Sequence, residues 1–304
     1  MKAIVIGMGV QGNKRKKYLK NDFIYSVDNF KKADFKSFKS VPLNSYDTAI
    51  VCTPDDQKLN IIKYCLEKKK NVLVEKPLLS KKNNELYKLE KLAKKNKVIL
   101  YTAYNHRFEP NIKELKKTLE KKILGKIYKC RIFYGNGTSY LVKKSKWRDK
   151  KLGVLSDIGS HLLDLCFFWF EGKIEKLKTI EINNFENKAP DHAILSLEIN
   201  KIKIELEMSL CMWKNTFTCD LIGSKGSVHL NSLCKWSNSS FSLRKRRFPS
   251  GKPTEKNLIF KKGDPTWELE NKYLKKIIKK KYLNLKKDIF LNNEFNKLSK
   301  IYYK

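Results

Sequence analysis

Three glycines directly after an apolar tetrapeptide limit the fold more than any other feature of this 304-residue chain. Ala3-Ile4-Val5-Ile6 is a continuous apolar run, typical of a strand that is covered on both faces of a parallel sheet. Gly7-Met8-Gly9-Val10-Gln11-Gly12 follows at once and opens a lysine-rich helical stretch. In such a unit Gly7 permits a tight turn, Gly9 lets the backbone approach a diphosphate, and Gly12 lets the helix pack closely on the strand. Because the first amides of a helix attract anions, the pattern predicts a dinucleotide site, with a turn that binds no ligand as the simpler alternative.

Four further apolar segments alternate with helical patterns over the first hundred residues. The predicted strands are Phe23–Val27, Thr48–Cys52, Val72–Val74 and Val98–Tyr101. Strands separated by single helices predict a doubly wound parallel sheet. We therefore expect an α/β Rossmann dinucleotide-binding domain over residues 1–104.

Beyond residue 120 the pattern changes to longer strands. These are predicted at Ile127–Tyr134, Ala193–Ile199, Ile202–Leu210 and Phe217–Ile222. Apolar and charged residues alternate between Glu198 and Leu210, with Asn200-Lys201 as the hairpin turn, which indicates a largely antiparallel sheet. Ser237–Lys256, rich in Ser, Lys and Arg, is predicted to be a loop, and the tail returns to helical spacing. Residues 105–304 are therefore expected to form an α+β domain for substrate binding and oligomerisation.

The balance of charges is strongly basic. Lys and Arg number 66 against 31 Asp and Glu, which gives a formal net charge of +35, and seven of the basic residues are arginines. Proteins that grip nucleic acid use arginine for base edges and bidentate phosphate contacts, whereas lysine spread evenly is more typical of a solvated surface. No specific nucleic-acid partner is therefore expected. A nucleic-acid or polyanion-binding protein, motivated by the charge and by Arg244–Arg247, is the alternative from another class.

The cysteines and the apolar runs indicate where the protein works. Seven cysteines form no CxxC pair and lie mostly in apolar runs, which predicts reduced thiols, no disulfide framework and no metal site. The longest apolar run, Leu162–Phe170 interrupted by Asp164, is shorter than the ~20 residues that a bilayer requires. The first residues lack the apolar core and cleavage site of a signal peptide. We expect a cytoplasmic protein without a membrane partner.

Asp28 closes the second predicted strand, 16 residues after Gly12. An acidic residue at this point hydrogen-bonds the adenosine ribose of NAD and repels the extra phosphate of NADP. NAD(H) is therefore the favoured cofactor, although Lys31 and Lys32 nearby leave NADP(H) open. A turn aspartate is the plainer interpretation of the same residue.

Two other segments carry candidate catalytic groups. Glu75-Lys76-Pro77 follows the fourth strand, and Pro77 ends the ladder at the carboxyl edge of the sheet, where ligands bind in such folds. Lys76 there would bond a substrate hydroxyl and steady a developing alkoxide. Asp157 and His161 are one helical turn apart, and a histidine beside an aspartate is a candidate general base. A surface lysine and a structural histidine are the alternatives.

In order along the chain, five motifs resemble those of the Gfo/Idh/MocA family, named for glucose–fructose oxidoreductase and inositol dehydrogenase. They are Gly7–Gly12, Thr53-Pro54, Glu75-Lys76-Pro77, Tyr104–Phe108 and Gly153–His161, and Asp264–Glu268 extends the match. The resemblance covers nearly the whole chain. It implies a nicotinamide-dependent oxidoreductase that interconverts a hydroxyl and a carbonyl on a sugar or polyol. It also implies a homodimer or homotetramer formed through the open sheet of the second domain.

The resemblance completes the set of candidate site residues. It implies that Lys76 and His161 are the catalytic pair and that Asp157 orients the substrate or the histidine. The candidate cofactor-binding residues are Gly7, Gly9, Val10, Gln11, Gly12, Asp28, Thr53, Pro54, Glu75, Lys76 and Asn105. The candidate substrate-binding residues are Lys76, Arg107, Trp147, Arg148, Asp157 and His161.

Two variants of this hypothesis stay open. A nucleotide-linked sugar would be the substrate if the Arg244–Arg247 segment faces its diphosphate. A non-catalytic sensor would keep the cofactor fold without turnover, although the presence of Lys76, Asp157 and His161 argues against it.

Overall fold

The computed structural model describes residues 1–82, 84–145 and 148–302. The chain forms two compact units, each built around its own sheet. The first unit comprises Met1–Asn105 and Trp267–Lys304, and the second comprises His106–Thr266. Within the described ranges, no helix is both long and apolar enough to cross a bilayer.

The first unit contains a five-stranded parallel sheet. Its strands are β1 Ala3–Ile6, β2 Phe23–Val27, β3 Thr48–Val51, β4 Asn71–Glu75 and β5 Leu100–Ala103. The helices between them are α1 Val10–Leu19, α2 Asp55–Glu67 and α3 Glu85–Asn96. The strand order is β2-β1-β3-β4-β5. The chain continues from β1 toward one edge of the sheet and from β3 toward the other, and α/β sheets of this kind bind ligands between two such strands. The predicted Rossmann sheet is confirmed, with the fifth strand two residues later than expected.

Both faces of this sheet are buried, which explains the continuous apolar runs. Successive residues of β1 point to opposite faces, so Ile4 and Ile6 belong to one core cluster while Ala3 and Val5 belong to the other. In the strand register Ile6 lies beside Val27 and Val51, so the strands end at one common edge. The segments that follow β1 to β5 therefore leave the sheet at that edge.

The second unit contains an eight-stranded, mostly antiparallel sheet. Its strands are β6 Ile127–Gly135, β7 Ile174–Asn183, β8 His192–Ile199, β9 Ile202–Ser209, β10 Thr216–Gly223, β11 Gly226–Asn231, β12 Ser239–Lys245 and β13 Thr254–Phe260. The order is β13-β12-β11-β10-β6-β9-β8-β7, and β6 and β9 form its parallel pair. The helices are α4 Pro110–Glu120, α5 Ser139–Lys143 and α6 Ser160–Trp169, and a π-helical turn at Leu155–Gly159 leads into α6. The predicted fold class is confirmed for both sheets.

The predicted hairpin between β8 and β9 is also confirmed. Asn200 and Lys201 both have positive φ, 51° and 65°, as the tight two-residue turns that match strand twist require. On the buried side of the sheet, the Trp169 indole donates to the Ile112 carbonyl oxygen at 3.1 Å, which ties α6 to α4.

The prediction of a loop over Ser237–Lys256 is wrong. This segment contains β12 and the start of β13. Phe241 and Leu243 are buried while Ser240 and Ser242 between them are partly exposed, so the period-two alternation of a strand is present. Serine on the outward positions hid the alternation because serine is also common in loops.

The last two helices pack on the first unit. They are α7 Thr266–Ile278 and α8 Lys286–Tyr302. Leu274 and Ile277 of α7 join the core cluster on one face of the parallel sheet, and Leu285 and Ile289 join the cluster on the other. The C-terminal segment therefore differs from the predicted continuous domain over residues 105–304, because its apolar residues bury against the N-terminal sheet.

Candidate active site

The glycine turn begins where β1 ends. Gly7 has φ +94°, and a Cβ there would lie 2.8 Å from the Cys52 carbonyl oxygen, so a side chain is excluded by conformation and by space. A Cβ on Gly12 would collide with the Gly7 carbonyl oxygen, so α1 packs directly on the turn. At Gly9, by contrast, a Cβ would meet nothing within 4 Å in the described part of the chain. The backbone is therefore tightly packed behind the turn and open in front of it.

Helix α1 begins immediately after Gly9, with Val10 and Gln11 exposed in its first turn. The first amides of any α-helix have no partner within the helix, and they carry the positive end of its dipole. Among the described residues, no side chain caps this helix start. The predicted residues thus form a start that can receive an anion.

The Asp28 carboxylate lies at the carboxyl end of β2, beside the glycine turn. Its Oδ2 accepts from the Met8 amide at 2.7 Å, and its Oδ1 accepts from the amides of Phe30 and Lys31 at 2.9 and 2.8 Å. Burial opposes ionisation, but these three amides outweigh it and hold the pKa of Asp28 below its usual value. Asp28 therefore stays charged and also ties the glycine turn to the loop after β2.

Thr53 and Pro54 follow β3 at the same edge of the sheet. The Thr53 Oγ1 is buried and has no hydrogen-bond partner among the described residues. Pro54 has extended backbone and precedes α2, whose first turn carries two aspartates. A buried hydroxyl without a partner is uncommon in proteins, so this position fits one that a bound group completes.

Glu75, predicted to contact the cofactor, is bonded to a buried arginine. Arg15 Nε donates to its Oε1 at 2.6 Å, and Arg15 Nη1 lies 2.7 Å from Glu270 Oε2 of α7. Burial opposes the charged guanidinium, but the two carboxylates outweigh it and raise the pKa of Arg15. Trp267 covers the guanidinium at 4.5 Å. One carboxylate oxygen of Glu75 is thus used to join α1 to β4.

Lys76 follows β4, and a buried lysine holds the backbone around it. Nζ of Lys58 donates to the carbonyl oxygens of Glu75 at 2.7 Å and Pro77 at 3.1 Å. A further bond of 2.7 Å goes to the Asp55 carboxylate, which balances the charge. No sequence motif predicted this contact, which fixes the chain on both sides of Lys76.

Asn105 and Arg107 belong to a short 3-10 helix, Asn105–Phe108. Arg107 makes a two-point ion pair with the nearly fully buried Asp164 of α6: Nε lies 2.6 Å from Oδ2, and Nη2 contacts Oδ1. Such bidentate pairs fix both groups. Arg107 therefore has a charge partner within the second unit. Asp164 was not predicted as a site residue, because in the sequence it only interrupts an apolar run.

Asp157 and His161 lie on successive turns of the π-helix and α6. The Asp157 carboxylate accepts from Arg148 Nη2 at 3.0 Å, which brings two of the predicted residues together. The His161 side chain is nearly buried. Trp147, the remaining predicted substrate residue, lies outside the described residues.

The ring of His161 stacks on a second histidine that was not predicted as a site residue. The centroids of His161 and His106 are 3.9 Å apart, and their planes differ by 21°. Lys235 Nζ lies 3.1 Å from His106 Nε2 and 3.0 Å from the Tyr134 hydroxyl. These four residues form one polar and aromatic cluster within the second unit.

Glu109 is a buried carboxyl near this cluster. Its Oε2 accepts from the Cys234 amide at 3.0 Å, and its Oε1 has no hydrogen-bond partner among the described residues. Burial raises the pKa of Glu109 to about 7, although the charge of Lys235 acts in the opposite direction. Glu109 was not predicted as a site residue from the sequence.

The first unit fits a bound dinucleotide on three observations: the open space in front of Gly9, the exposed helix start after it, and the buried Thr53 hydroxyl. The charged Asp28 adds an acceptor of the kind that ribose hydroxyls bind. Within residues 1–82, 84–145 and 148–302, no cluster of three potential metal ligands occurs, and the cysteines are free thiols. The fold and this turn define the chain as a dinucleotide-binding protein of the Rossmann class.

Comparisons with known proteins specify the family. Residues 13–104 match the model described as the oxidoreductase family with an NAD-binding Rossmann fold. Residues 112–229 match the Gfo/Idh/MocA C-terminal domain. The chain therefore belongs to the Gfo/Idh/MocA family of oxidoreductases.

Individual relatives are more distant. Glucose-6-phosphate 3-dehydrogenase of Bacillus subtilis is 25% identical over 201 residues, 64% of this chain and 55% of that protein. Myo-inositol 2-dehydrogenase of Thermotoga maritima is 31% identical over 86 residues, 28% of this chain and 25% of that protein. The chain thus matches about half the length, or less, of these curated relatives.

Solved structures share the fold over nearly the full length. Levoglucosan dehydrogenase in complex with NADH superposes with a TM-score of 0.82 at 14% identity, covering 97% of this chain and 95% of that one. GenD2 from gentamicin A biosynthesis, in complex with NAD, gives a TM-score of 0.79 at 15% identity, covering 97% and 92%. At these identities the likeness shows the fold.

Proposed function

We propose that this chain is an NAD(H)-dependent oxidoreductase that interconverts a hydroxyl and a carbonyl on a sugar, a polyol or a nucleotide-linked sugar. The observation that carries the proposal is the open helix start at Gly9 with the charged Asp28 beside it. Membership of the oxidoreductase family supports the same conclusion. The proposed cofactor-binding residues are those predicted from the sequence, from the glycine turn to Asn105.

In the proposed reaction, the chain manages the proton and the charge on oxygen. NAD⁺ held at the glycine turn and Asp28 would supply the acceptor for the hydride of the carbinol carbon. His161 takes the hydroxyl proton on a ring nitrogen, and the C–O bond becomes a carbonyl. The Lys76 ammonium donates to that oxygen and offsets its developing charge. Asp157, held by Arg148, orients the substrate or the histidine.

The proposed substrate is polyhydroxylated, and an anionic substituent fits the chemistry of the chain. The formal charge of +35 gives a field that attracts anions. The relative from Bacillus subtilis is named for a phosphorylated sugar. For a nucleotide-linked sugar, Arg244 and Arg246 are already bonded, to Glu255 at 3.1 Å and to the Ser224 carbonyl at 3.3 Å. We therefore place a sugar phosphate ahead of a nucleotide-linked sugar.

We also propose that the protein acts in the cytoplasm as a homodimer or homotetramer. The support for assembly is the outward face of the eight-stranded sheet, where cross-strand ion pairs such as Arg131–Glu205, at 2.9 Å, lie beside exposed apolar residues such as Ile222. A sheet face of this mixed character can pair with its own copy about a twofold axis. Sedimentation velocity of the purified chain tests it, and a monomer at micromolar concentration would contradict it.

The first experiment is a fluorescence titration of the wild-type chain with NADH and, separately, NADPH. We expect tighter binding of NADH. Asp28→Asn keeps one carbonyl acceptor for the backbone amides but removes the charge, so NADPH should gain on NADH by about tenfold or more, the scale of one charge contact. Asp28→Ala is less informative, because it also releases the amides of Met8, Phe30 and Lys31.

Asp34→Asn is the matched control. Asp34 also supports this region, since its carboxylate accepts from the amide and hydroxyl of Ser26. Its substitution should leave the ratio of NADH to NADPH affinity unchanged. Binding of neither nucleotide by the wild-type chain would refute the proposed function, and an unchanged ratio in Asp28→Asn would refute the role of Asp28.

A further inference from the structure

The second unit holds a chain of contacts that runs from Lys235 to His161. The Lys235 ammonium lies within hydrogen-bond distance of His106 and Tyr134, and the His106 ring stacks on the His161 ring. Both histidines are buried or nearly so. Lys235 Nζ also lies near two aromatic rings, 4.6 Å from the Trp236 centroid and 5.3 Å from the Tyr134 centroid. An ammonium held by two acceptors and two rings has little freedom to move.

The chemistry of the Lys235 contact determines the protonation of His106. An ammonium has donors only, so His106 Nε2 must accept, and it carries no proton. A neutral imidazole whose Nε2 lone pair accepts a hydrogen bond carries its hydrogen on Nδ1. As long as Lys235 is charged, His106 is therefore neutral and in one tautomer.

We propose that Lys235 and His106 are positioning residues for His161. Lys235 keeps His106 neutral, and the His106 ring fixes the plane of the His161 ring and leaves it as the member of the stacked pair that accepts a proton. This inference rests on the proposed role of His161 as general base. It deepens that role, because it explains why two stacked imidazoles do not compete for the same proton.

The charged and titratable surroundings support this division of roles. Tyr134 of β6 offers its hydroxyl to the same ammonium, and its ring lies 5.5 Å from that of His106. Glu109, three residues after His106, is buried near Lys235 and has a raised pKa because of burial. Arg107 is held by Asp164, and Asp157, one turn before His161, by Arg148. Arg107 and Asp157, which lie close to the two stacked histidines in sequence, thus have charge partners of their own.

The test uses ¹⁵N NMR of the histidine rings in the full chain, which has four histidines. Substituting each histidine by glutamine assigns the signals. In the wild type we expect His106 to show the Nδ1–H tautomer without titrating between pH 5.5 and 8.5, while His161 titrates in a single step. In Lys235→Met we expect the stacked pair to titrate in two coupled steps, since His106 becomes able to accept a proton. Lys235→Arg, which also has donors only, should restore the wild-type pattern.

Lys116→Met is the matched control. Lys116 is also largely buried, but it pairs with Glu120 at the end of α4 and with Glu171, which follows α6. It should leave the histidine titrations unchanged. A wild-type His106 that titrates in this pH range, or a pattern that does not change in Lys235→Met, would overturn the proposal. The wild-type spectrum alone decides whether His106 titrates, even if Lys235→Met fails to fold.

A kinetic measurement separates this proposal from the proposed function. With glucose 6-phosphate or myo-inositol as probes and NAD⁺, Lys235→Met should lower kcat by about 10- to 100-fold, the scale for a misplaced catalytic group, and change KM less. Lys235→Arg should recover most of kcat. If neither probe is turned over, the oxidoreductase proposal is in question while the NMR result still stands. If turnover occurs and kcat is unaffected by Lys235→Met, the positioning role is refuted.

Discussion

Substituting Glu109 by glutamine should change how the stability of the protein depends on pH. The Glu109 carboxyl is fully buried, and burial raises its pKa from 4.5 to about 7. In the unfolded chain it ionises near its ordinary value. Between these two pKa values the folded state therefore binds one proton more than the unfolded state, so the free energy of unfolding falls as pH rises through this window.

The magnitude follows from the size of the shift. Each pKa unit corresponds to about 1.4 kcal/mol, so between pH 5 and pH 8 the wild type should lose about 2 to 3 kcal/mol through this carboxyl. Glu109→Gln keeps an acceptor for the Cys234 amide and removes the ionisation. From pH 5 to pH 8 the free energy of unfolding of the variant, minus that of the wild type, should therefore increase by that amount.

Urea unfolding at pH 5 and pH 8, followed by tryptophan fluorescence, measures the difference. Glu171→Gln is the control, because the Glu171 side chain is 92% exposed and its substitution should follow the pH dependence of the wild type. If Glu109→Gln and the wild type change in parallel between the two pH values, the carboxyl is not held protonated by burial, and the reasoning fails.

Two further substitutions test the buried ion pairs of the first unit by urea unfolding at neutral pH. Lys58→Met should destabilise the chain by about 1–3 kcal/mol, since it leaves two carbonyl oxygens at the end of β4 without their donor; the exposed Lys63→Met on the same helix should cost less than about 0.5 kcal/mol. Glu270→Gln should cost about 3 kcal/mol, because Arg15 then keeps one carboxylate for its buried charge, whereas Glu268→Gln on the surface of α7 should be nearly neutral. Equal losses in a variant and its control would show that the buried pair contributes nothing specific.

The fold was predictable wherever local pattern and tertiary position agree. The strand before Gly7 is apolar on every residue because both faces of its sheet are covered, and the hairpin at Asn200-Lys201 separates two clearly alternating strands. The strand β12 was missed because its exposed positions are serines and its composition is that of a loop. The packing of α7 on the first unit had no local signal, because a helix shows which face is apolar but not which sheet covers it.

The candidate site divides in the same way. Asp157 and His161, which lie in a short motif, were candidates from their spacing, and the family resemblance implied their roles. The pairing of His106 with Lys235 could not be predicted, since 129 residues separate them and the contact arises from folding. Lys58 is an intermediate case. Lys58 lies three and seven residues before Ile61 and Cys65 on the buried side of its helix, so its place in an apolar stripe was a usable signal.

The positions of three cations also show why net charge alone does not locate the functional site in this chain. Surface lysines make up most of the formal charge of +35, whereas Arg15 and Lys58 are buried where carboxylates and carbonyl oxygens compensate their charges. The half-buried Lys235 donates to an imidazole. Burying an uncompensated charge costs several kcal/mol, so each of these residues had to be placed together with its partners. The same constraint gives these cations a structural role, because a cation with several hydrogen-bond acceptors around it fixes the backbone or the ring that it contacts. In this protein those contacts are the backbone on either side of Lys76 and the ring on which His161 stacks.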